Sequence, residues 1–350
     1  MQALRLYGKQ DIRVDTIDPP SEPKTGEVRI QVKAVGICGS DLHYYQDGGI
    51  GDMVIEKPMV IGHEFMGQIV AIGDNALDGE GQPLRVGQRV AVEPTCPCYH
   101  CEWCEQGHPN LCPNHTFYGA YPTDGAMQSE MIVLARNCFP IPDSISDGGG
   151  ALLETLGVAI HAHDLAHLKI ANSVAIIGCG PVGLLILKVA KLAGANPIYA
   201  TDCYDWRVKK AVEWGATEAW VADENSVQNV RDATNGRGVD VIFEAAWADH
   251  SIQQAAEMVR IGGRIVQVGI PSKDDALHIQ HSTARRKGLT ITVVRRMKHT
   301  YPRAINLATS GAMDLDDLVS HQFSLSDAPD AFAMNAAYKE GVHKIIIKPS

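Results

Sequence analysis

The chain changes rhythm near its middle. Over the first 150 or so residues, apolar and polar positions alternate in short runs. Glu27–Gly36 (EVRIQVKAVG) is the clearest of these, and its period of two predicts a half-buried strand. Gly67–Gly73, Gln88–Val92 and Ser129–Ala135 predict further strands. Asp78–Pro83 (DGEGQP) reads as a solvated loop, and Ser146–Gly150 (SDGGG) as a flexible joint. A helical pattern then begins at about Ala151. Strand signals follow at Ser173–Ile177, Pro197–Thr201, Glu218–Ala222, Val239–Glu244, Arg264–Gly269 and Leu289–Val294, with helical runs such as Pro181–Ala193 and Asp205–Trp214 between them. Six strands with intervening helices predict an α/β fold with a parallel, doubly wound sheet that binds ligands at its carboxyl ends. After Val294 the alternation stops. Tyr301–Ser310 reads as a helix, and Lys344–Lys348 (KIIIK) as a last strand returning to the first domain.

Length and composition narrow the class. A chain of 350 residues can bury two cores of ordinary size, and its 45% hydrophobic and 21% charged residues suit a soluble globular protein. A formal net charge of -10 argues against general binding to nucleic acid or anionic membranes. No apolar run approaches the roughly eighteen residues of a membrane span, and Met1–Tyr7 lacks the apolar stretch of a signal peptide. The expectation is a cytoplasmic protein acting on a small molecule.

Cysteine spacing supplies the first chemistry. The nine cysteines are odd in number, and Cys98, Cys101, Cys104 and Cys112 fall within fifteen residues as C-x2-C-x2-C-x7-C. Such spacing in a cytosolic chain points to metal rather than to disulfides. Four thiolates suit a closed tetrahedral zinc and leave no position for substrate, so the expected role is structural. Unrelated buried thiols or an iron–sulfur cluster are the alternatives. Cys138, Cys179 and Cys203 stand singly in apolar surroundings and are expected to be small buried residues; Cys96 is out of step with the cluster.

A second motif concerns a dinucleotide. Ser173–Gly183 (SVAIIGCGPVG) is a strand followed by Gly178, Gly180 and Gly183 in a G-x-G-x-x-G turn, with Pro181 and Val182 opening a helix. Glycines there permit a tight turn and bring pyrophosphate to the helix N-terminus. Asp202 ends the next strand, where an acid accepts hydrogen bonds from both ribose hydroxyls and repels a 2′-phosphate; this favours NAD over NADP. Gly269–Ile270 and Val293–Val294, at the ends of later strands, are expected to border the nicotinamide.

Gly36–His43 (GICGSDLH) and Gly62–Gly67 (GHEFMG) complete the picture. Alone, a cysteine and a distant His–Glu pair are weak. Beside the four-cysteine run and the glycine fingerprint, the chain resembles the zinc-containing medium-chain dehydrogenases, the family of alcohol, sorbitol and threonine dehydrogenases. The family's signature G-H-E-x2-G-x5-G-x2-small is met by Gly62, His63, Glu64, Gly67, Gly73 and Ala76.

That resemblance implies a GroES-like β-rich catalytic domain (residues 1–153 and 297–350) with two zinc sites. A Rossmann NAD-binding domain (residues 154–296) is inserted in it, with the active site in the cleft. It implies two Zn2+ per subunit, one catalytic and one structural. Cys38, His63 and an acidic or sulfur residue would hold the catalytic zinc, with one position left for an alcohol oxygen. Where ethanol-type enzymes carry a cysteine this chain has Glu154, as in the sorbitol dehydrogenase branch. Glu64 and Glu154 are then the carboxylates, one binding directly and the other through water, and which does which stays open. Thr155 stands where the family's usual proline would be.

The same resemblance makes Ser40 and His43 a hydroxyl–imidazole proton relay, with Glu154 beside it, and puts Tyr44 in the substrate pocket. Asp41 is expected to hold its loop by local hydrogen bonds. Arg207 matches a basic residue beside the ribose. Arg295 or Arg296 resembles the arginine that reaches a polyol substrate, and an adjacent pair also suits a sugar-acid carboxylate. The expected reaction is reversible oxidation of a secondary hydroxyl of a sorbitol- or xylitol-like polyol to a ketone, with hydride passed to NAD. The alternatives are a sugar-acid 5-dehydrogenase of the idonate or galactonate kind, or another zinc alcohol or threonine-type dehydrogenase. A zinc-free reductase and a silent binding protein are disfavoured, because every ligand and glycine is kept. The family implies a homotetramer or homodimer.

Overall fold

A computed structural model describes all residues except Asp52, Trp247, Asp249, residues 271–275, Glu340 and Ser350. The chain divides into two compact units, Met1–Glu154 with Tyr301–Ser350, and Thr155–Thr300. Met297 and Thr300 fall in the second unit because both pack against Gly157 in the long helix Leu153–Ala166, where they crowd the space a Cβ would need. That helix runs on through Thr155, so the absence of proline there leaves the backbone regular.

In the first unit seven of the described strands form one sheet ordered Cys138–Pro140, Arg89–Val92, Glu64–Ile72, Glu27–Gly36, Lys344–Lys348 and Val319–Ser324, with Glu130–Leu134 also paired to Glu27–Gly36. The alternation in Glu27–Gly36 appears as expected: Val28, Ile30, Val32 and Ala34 are buried, and the residues between them are half-buried. Gly36 pairs with Glu64 on one side and with Ile346 on the other. This places the C-terminal strand beside the GHE motif.

Ser146–Gly150 is not the flexible joint its composition suggested. Ser146 Oγ accepts a 2.8 Å hydrogen bond from Gly149 N and caps a short helix, Asp147–Ala151. Gly148, Gly149 and Gly150 are buried in it, Gly150 against Ile141 and Met66. An N-cap serine outweighed the loop signal of three glycines. Within Asp78–Pro83, Asp78 is buried and accepts hydrogen bonds from Glu80 N and Gln82 N, while the rest is exposed. Cys138 and Cys179 are buried, but Cys203 is exposed. It follows Asp202 just past the end of its strand, where the apolar surroundings read from the sequence no longer cover it.

The second unit is a six-stranded parallel sheet ordered Glu218–Val221, Ile198–Asp202, Val174–Ile177, Val239–Glu244, Val259–Gln267 and Thr290–Val293. The chain leaves Val174–Ile177 for one side and returns to the other, so a topological switch point lies at its carboxyl end. Gly178 sits there: a Cβ on it would come within 2.7 Å of Ala245 O, and one on Gly183 within 1.8 Å of Gly178 O. Only glycine allows this turn to close. The fifth strand ends at Gln267, earlier than expected, because the N–H groups of Val268 and Gly269 both donate to Glu244 O and leave the ladder.

Glu244 itself is buried at this end of the sheet. Its Oε1 accepts from Ala246 N at 2.9 Å, and its Oε2 takes a short hydrogen bond from Gln267 Nε2. Burial pushes its carboxyl up to about 7, although Ser251, Ala246 N, Gln267 and Gly269 N pull the other way. A carboxyl that is harder to ionise folded than unfolded stabilises the fold while protonated, and that contribution disappears as pH rises through about 7. Between pH 6 and pH 8 the loss is about 1 kcal/mol. Glu244→Gln removes it, so thermal melts of the variant should fall less steeply over that interval than those of the parent. Parallel slopes would refute the assignment.

Candidate metal and dinucleotide sites

Cys38 is the residue before the helix Gly39–Asp47, and its backbone N–H donates to Asp41 Oδ2 at 2.9 Å. Asp41 is fully buried, and its other oxygen lies 3.5 Å from His63 Nδ1. One carboxylate therefore fixes the backbone at Cys38 and faces one nitrogen of His63. This leaves His63 Nε2 on the side of Cys38, and Ser40 Oγ lies 3.4 Å from it. Burial works to lower the basicity of His63, but the charges of Asp41 and Cys38 raise it well above the ordinary imidazole value. Such a site favours positive charge. Asp41 is expected from its loop to act only locally; its reach to His63 joins residues 22 apart, and no local pattern signals it.

Glu64 begins the strand Glu64–Ile72 and is fully buried. A Cβ on Gly36 would sit 2.1 Å from Glu64 Oε2, so only glycine at that position admits the carboxylate. Both carboxylate oxygens accept from Lys344 Nζ, at 2.7 and 2.6 Å, and Lys344 Nζ also donates to Ile37 O at 3.1 Å. The side chains of Lys344 and Glu64 are 2% and 0% exposed, which makes this a charged pair wholly out of water. Sequence reading saw only an apolar strand in KIIIK; the lysine at its buried end was the available signal.

Cys38, His63 and Glu64 each offer a ligand atom, and these atoms all lie within 4.8 Å of one another. One sulfur from half-buried Cys38, with one nitrogen and one oxygen from buried His63 and Glu64, fit zinc. Glu154 falls outside that trio but is buried beside it. Burial first, then the charges of Glu64 and Glu93, push its carboxyl up to about 7, while His63 and Lys344 pull it down. Glu93 is also pushed up to about 7 by burial; it is a further carboxylate that the sequence reading did not single out. His43 is buried in the same helix as Ser40, with Nδ1 3.3 Å from Asp47 Oδ2. Burial lowers its basicity, and Asp47 partly restores it. Tyr44 is buried, 2% exposed.

The four-cysteine run folds around a common centre. Its sulfurs lie 3.5 Å (Cys101–Cys104), 3.8 Å (Cys101–Cys112) and 3.5 Å (Cys98–Cys112) apart. Four sulfurs at about 2.3 Å from one tetrahedral ion would lie about 3.8 Å apart, so the cradle already has the size of a zinc site. The His100 backbone N–H pulls the Cys98 thiol down to about 6, toward the thiolate that metal binding needs. The lobe also touches the buried cluster. Thr116–Phe117 pairs with Thr95–Cys96, and the Phe117 ring lies 5.4 Å from that of His63.

In the second unit Gly180 caps the helix Pro181–Leu192, which Val182 and Gly183 continue. Asp202 is buried and accepts from Cys179 N at 2.7 Å and from Tyr204 N at 3.0 Å; Arg207 lies 3.8 Å away. The carboxylate thus sits against the glycine turn, and a base stands next to it. Gly269 follows the fifth strand, and Val294 N donates to Gln267 O at 2.8 Å. Arg295 is exposed and Arg296 half-buried with φ +55°, both just past the last strand of this unit.

Residues 24–143 match the family described as alcohol dehydrogenase GroES-like domain, and residues 181–310 that described as zinc-binding dehydrogenase. The chain is 37% identical over 351 residues to a sorbitol dehydrogenase of Bacillus subtilis, covering 100% of this chain and 98% of the relative. Among solved structures, it is similar to an alcohol dehydrogenase of Escherichia coli complexed with NADH (28% identity, TM-score 0.89, 99% of each chain). It is also similar to L-idonate 5-dehydrogenase of Escherichia coli (29% identity, TM-score 0.87, 99% of this chain and 97% of the other). Among the described residues no helix is long and apolar enough to cross a membrane.

Replacing Cys98 by serine should halve the zinc content, from about two ions per chain to about one, and lower the melting temperature. Zinc analysis that still finds two ions per chain would refute the four-sulfur site.

Proposed function

The chain belongs to the zinc-containing medium-chain alcohol dehydrogenase family, in its sorbitol dehydrogenase-like branch, and on that premise we propose that it oxidises a secondary hydroxyl of a polyol reversibly to a ketone, with hydride passed to NAD. The observation that carries this reading is the trio of half-buried Cys38 with buried His63 and Glu64, with a glutamate, Glu154, next to it. A carboxylate at Glu154 keeps the site polar, which suits a substrate with several hydroxyls. The likeness to the sorbitol dehydrogenase favours the same class.

Cys38, His63 and Glu64 would hold the catalytic zinc, and Glu154, buried beside them, would act through a water molecule. The bound ion supplies a Lewis acid that makes a hydroxyl easier to deprotonate. The chain's own residues do the rest. Asp41 orients His63 through Nδ1. Lys344 balances the charge of Glu64 in a site with no water to screen it. Ser40 and His43 carry the hydroxyl proton outward. Ser40 Oγ stands within reach of His63 Nε2, and the contact of His43 with Asp47, which is about half exposed, leads toward solvent. Tyr44 and one of Arg295 and Arg296 bind substrate hydroxyls.

Gly178, Gly180, Pro181, Val182 and Gly183 receive the pyrophosphate, and Asp202 receives the adenosine ribose. Asp202 excludes a 2′-phosphate, which Arg207 alone would tolerate. Gly269 and Val294 border the nicotinamide. A second reading, oxidation of a sugar acid, draws on the adjacent Arg295 and Arg296 and on the likeness to L-idonate 5-dehydrogenase. We place the enzyme in the cytoplasm, where the thiols of the zinc lobe stay reduced. We read it as a homodimer or homotetramer, since the edge strand Thr290–Val293 leaves Ile291 and Val293 exposed.

NADH formation with pentitols, hexitols and aldonic acids tests the proposal. Polyols should give the highest kcat/KM with NAD, and Cys38→Ser should abolish turnover while the circular dichroism spectrum stays unchanged. Undiminished turnover in Cys38→Ser would overturn the mechanism, and a preference for aldonic acids would establish the second reading.

A further inference from the structure

The second unit has a cavity of about 470 Å³ at the amino ends of its strands, the opposite end of the sheet from Gly178 and Asp202. Its lining includes Arg231, Arg237, Arg260, Arg286 and Lys287, with Glu257 the only carboxylate among them. Five cations in one concavity are unexpected in a chain of net charge -10. They come from four separate elements: the helix Ser226–Ala233, the turn after it, the strand Val259–Gln267 and the helix His281–Lys287.

The bonding partners divide these cations into two kinds. Arg237 and Arg260 share one carboxylate, Asp240, each at 2.7 Å. Lys287 Nζ donates to the carbonyls of Ala256, Glu257 and Val259 at 2.8, 2.8 and 2.6 Å, where it closes the end of the helix Ser251–Met258. Those three hold the pocket together. Among the described residues, the guanidinium groups of Arg231 and Arg286 make no hydrogen bond or ion pair. The helix dipole accounts for a cation in each final turn, but not for five converging on one cavity. The crowding is felt within it: burial first, then the charge of Arg231, lowers the basicity of Lys287.

We propose that this pocket binds the phosphate group of a small phosphorylated metabolite between Arg231 and Arg286, as a site separate from the dinucleotide and metal sites. Planar guanidinium groups pair two-fold with phosphate oxygens, and the cavity is of the size that holds a small ligand. Arg237, Arg260 and Lys287, already fixed by their own partners, supply a positive rim that needs no reordering when the anion enters.

The test uses the full-length zinc-loaded protein with saturating NAD, so that the Gly178–Gly183 turn is already filled. Inorganic phosphate is titrated at constant ionic strength against chloride, and the melting temperature is followed. With phosphate the melting temperature should rise and saturate, and in the double variant Arg231→Gln, Arg286→Gln the apparent Kd should weaken at least ten-fold. Turnover and NAD affinity should not change in that variant, since neither side chain belongs to the sites proposed above. Because both arginines are exposed and, among the described residues, make no side-chain bond, the variant should melt with the parent when phosphate is absent. The same rise in parent and double variant, or no rise beyond that with chloride, would overturn the proposal.

Discussion

At the centre of the first unit a lysine and a glutamate share a space with no water. Lys344 comes from the last strand of the chain and Glu64 from the GHE motif, and they meet only because Glu27–Gly36 lies between their strands and presents a glycine where they touch. Desolvating two charges costs several kcal/mol each, recovered only when the pair has good geometry and further hydrogen bonds. Here both oxygens of Glu64 face the ammonium, and Ile37 O takes another of its protons. The arrangement holds a carboxylate fixed and dry within reach of Cys38 and His63. It also explains why the chain's end has to return to the first unit after building the second.

Around that pair, second contacts keep each donor in place. Asp41 ties the backbone of Cys38 to the ring of His63, and Phe117 brings the zinc lobe against the same ring. The lobe that does no chemistry thus bears on the position of a residue proposed to do it. In the second unit, the glycine turn, Asp202 and Glu244 all gather at the carboxyl ends of the central strands, where the strand order reverses.

Much of this was legible in the sequence, for reasons that differ from element to element. Glu27–Gly36, Val239–Glu244 and Lys344–Lys348 were read residue for residue, because each has a strong apolar period bounded by charge or glycine. The four cysteines and the glycine fingerprint carry their geometry in their spacing. The joint at Ser146–Gly150 was misread, since a single capping hydroxyl decided it against composition. Cys203 was misread because burial depends on where a strand ends. Lys344, the link from Asp41 to His63 and the carboxylates Glu93 and Glu244 were missed. Their roles come from contacts across the sheet or from depth of burial, and neither leaves a local period.

The central claim is that Cys38, His63 and Glu64 form a zinc site with its carboxylate balanced by Lys344. An anomalous-difference map at the zinc absorption edge, from crystals of the protein as purified, tests it most directly. The account predicts two peaks per chain, one among the four cysteine sulfurs and one bonded to Cys38 Sγ, His63 Nε2 and Glu64, with Lys344 still on that carboxylate. A single peak at the cysteine lobe would contradict it.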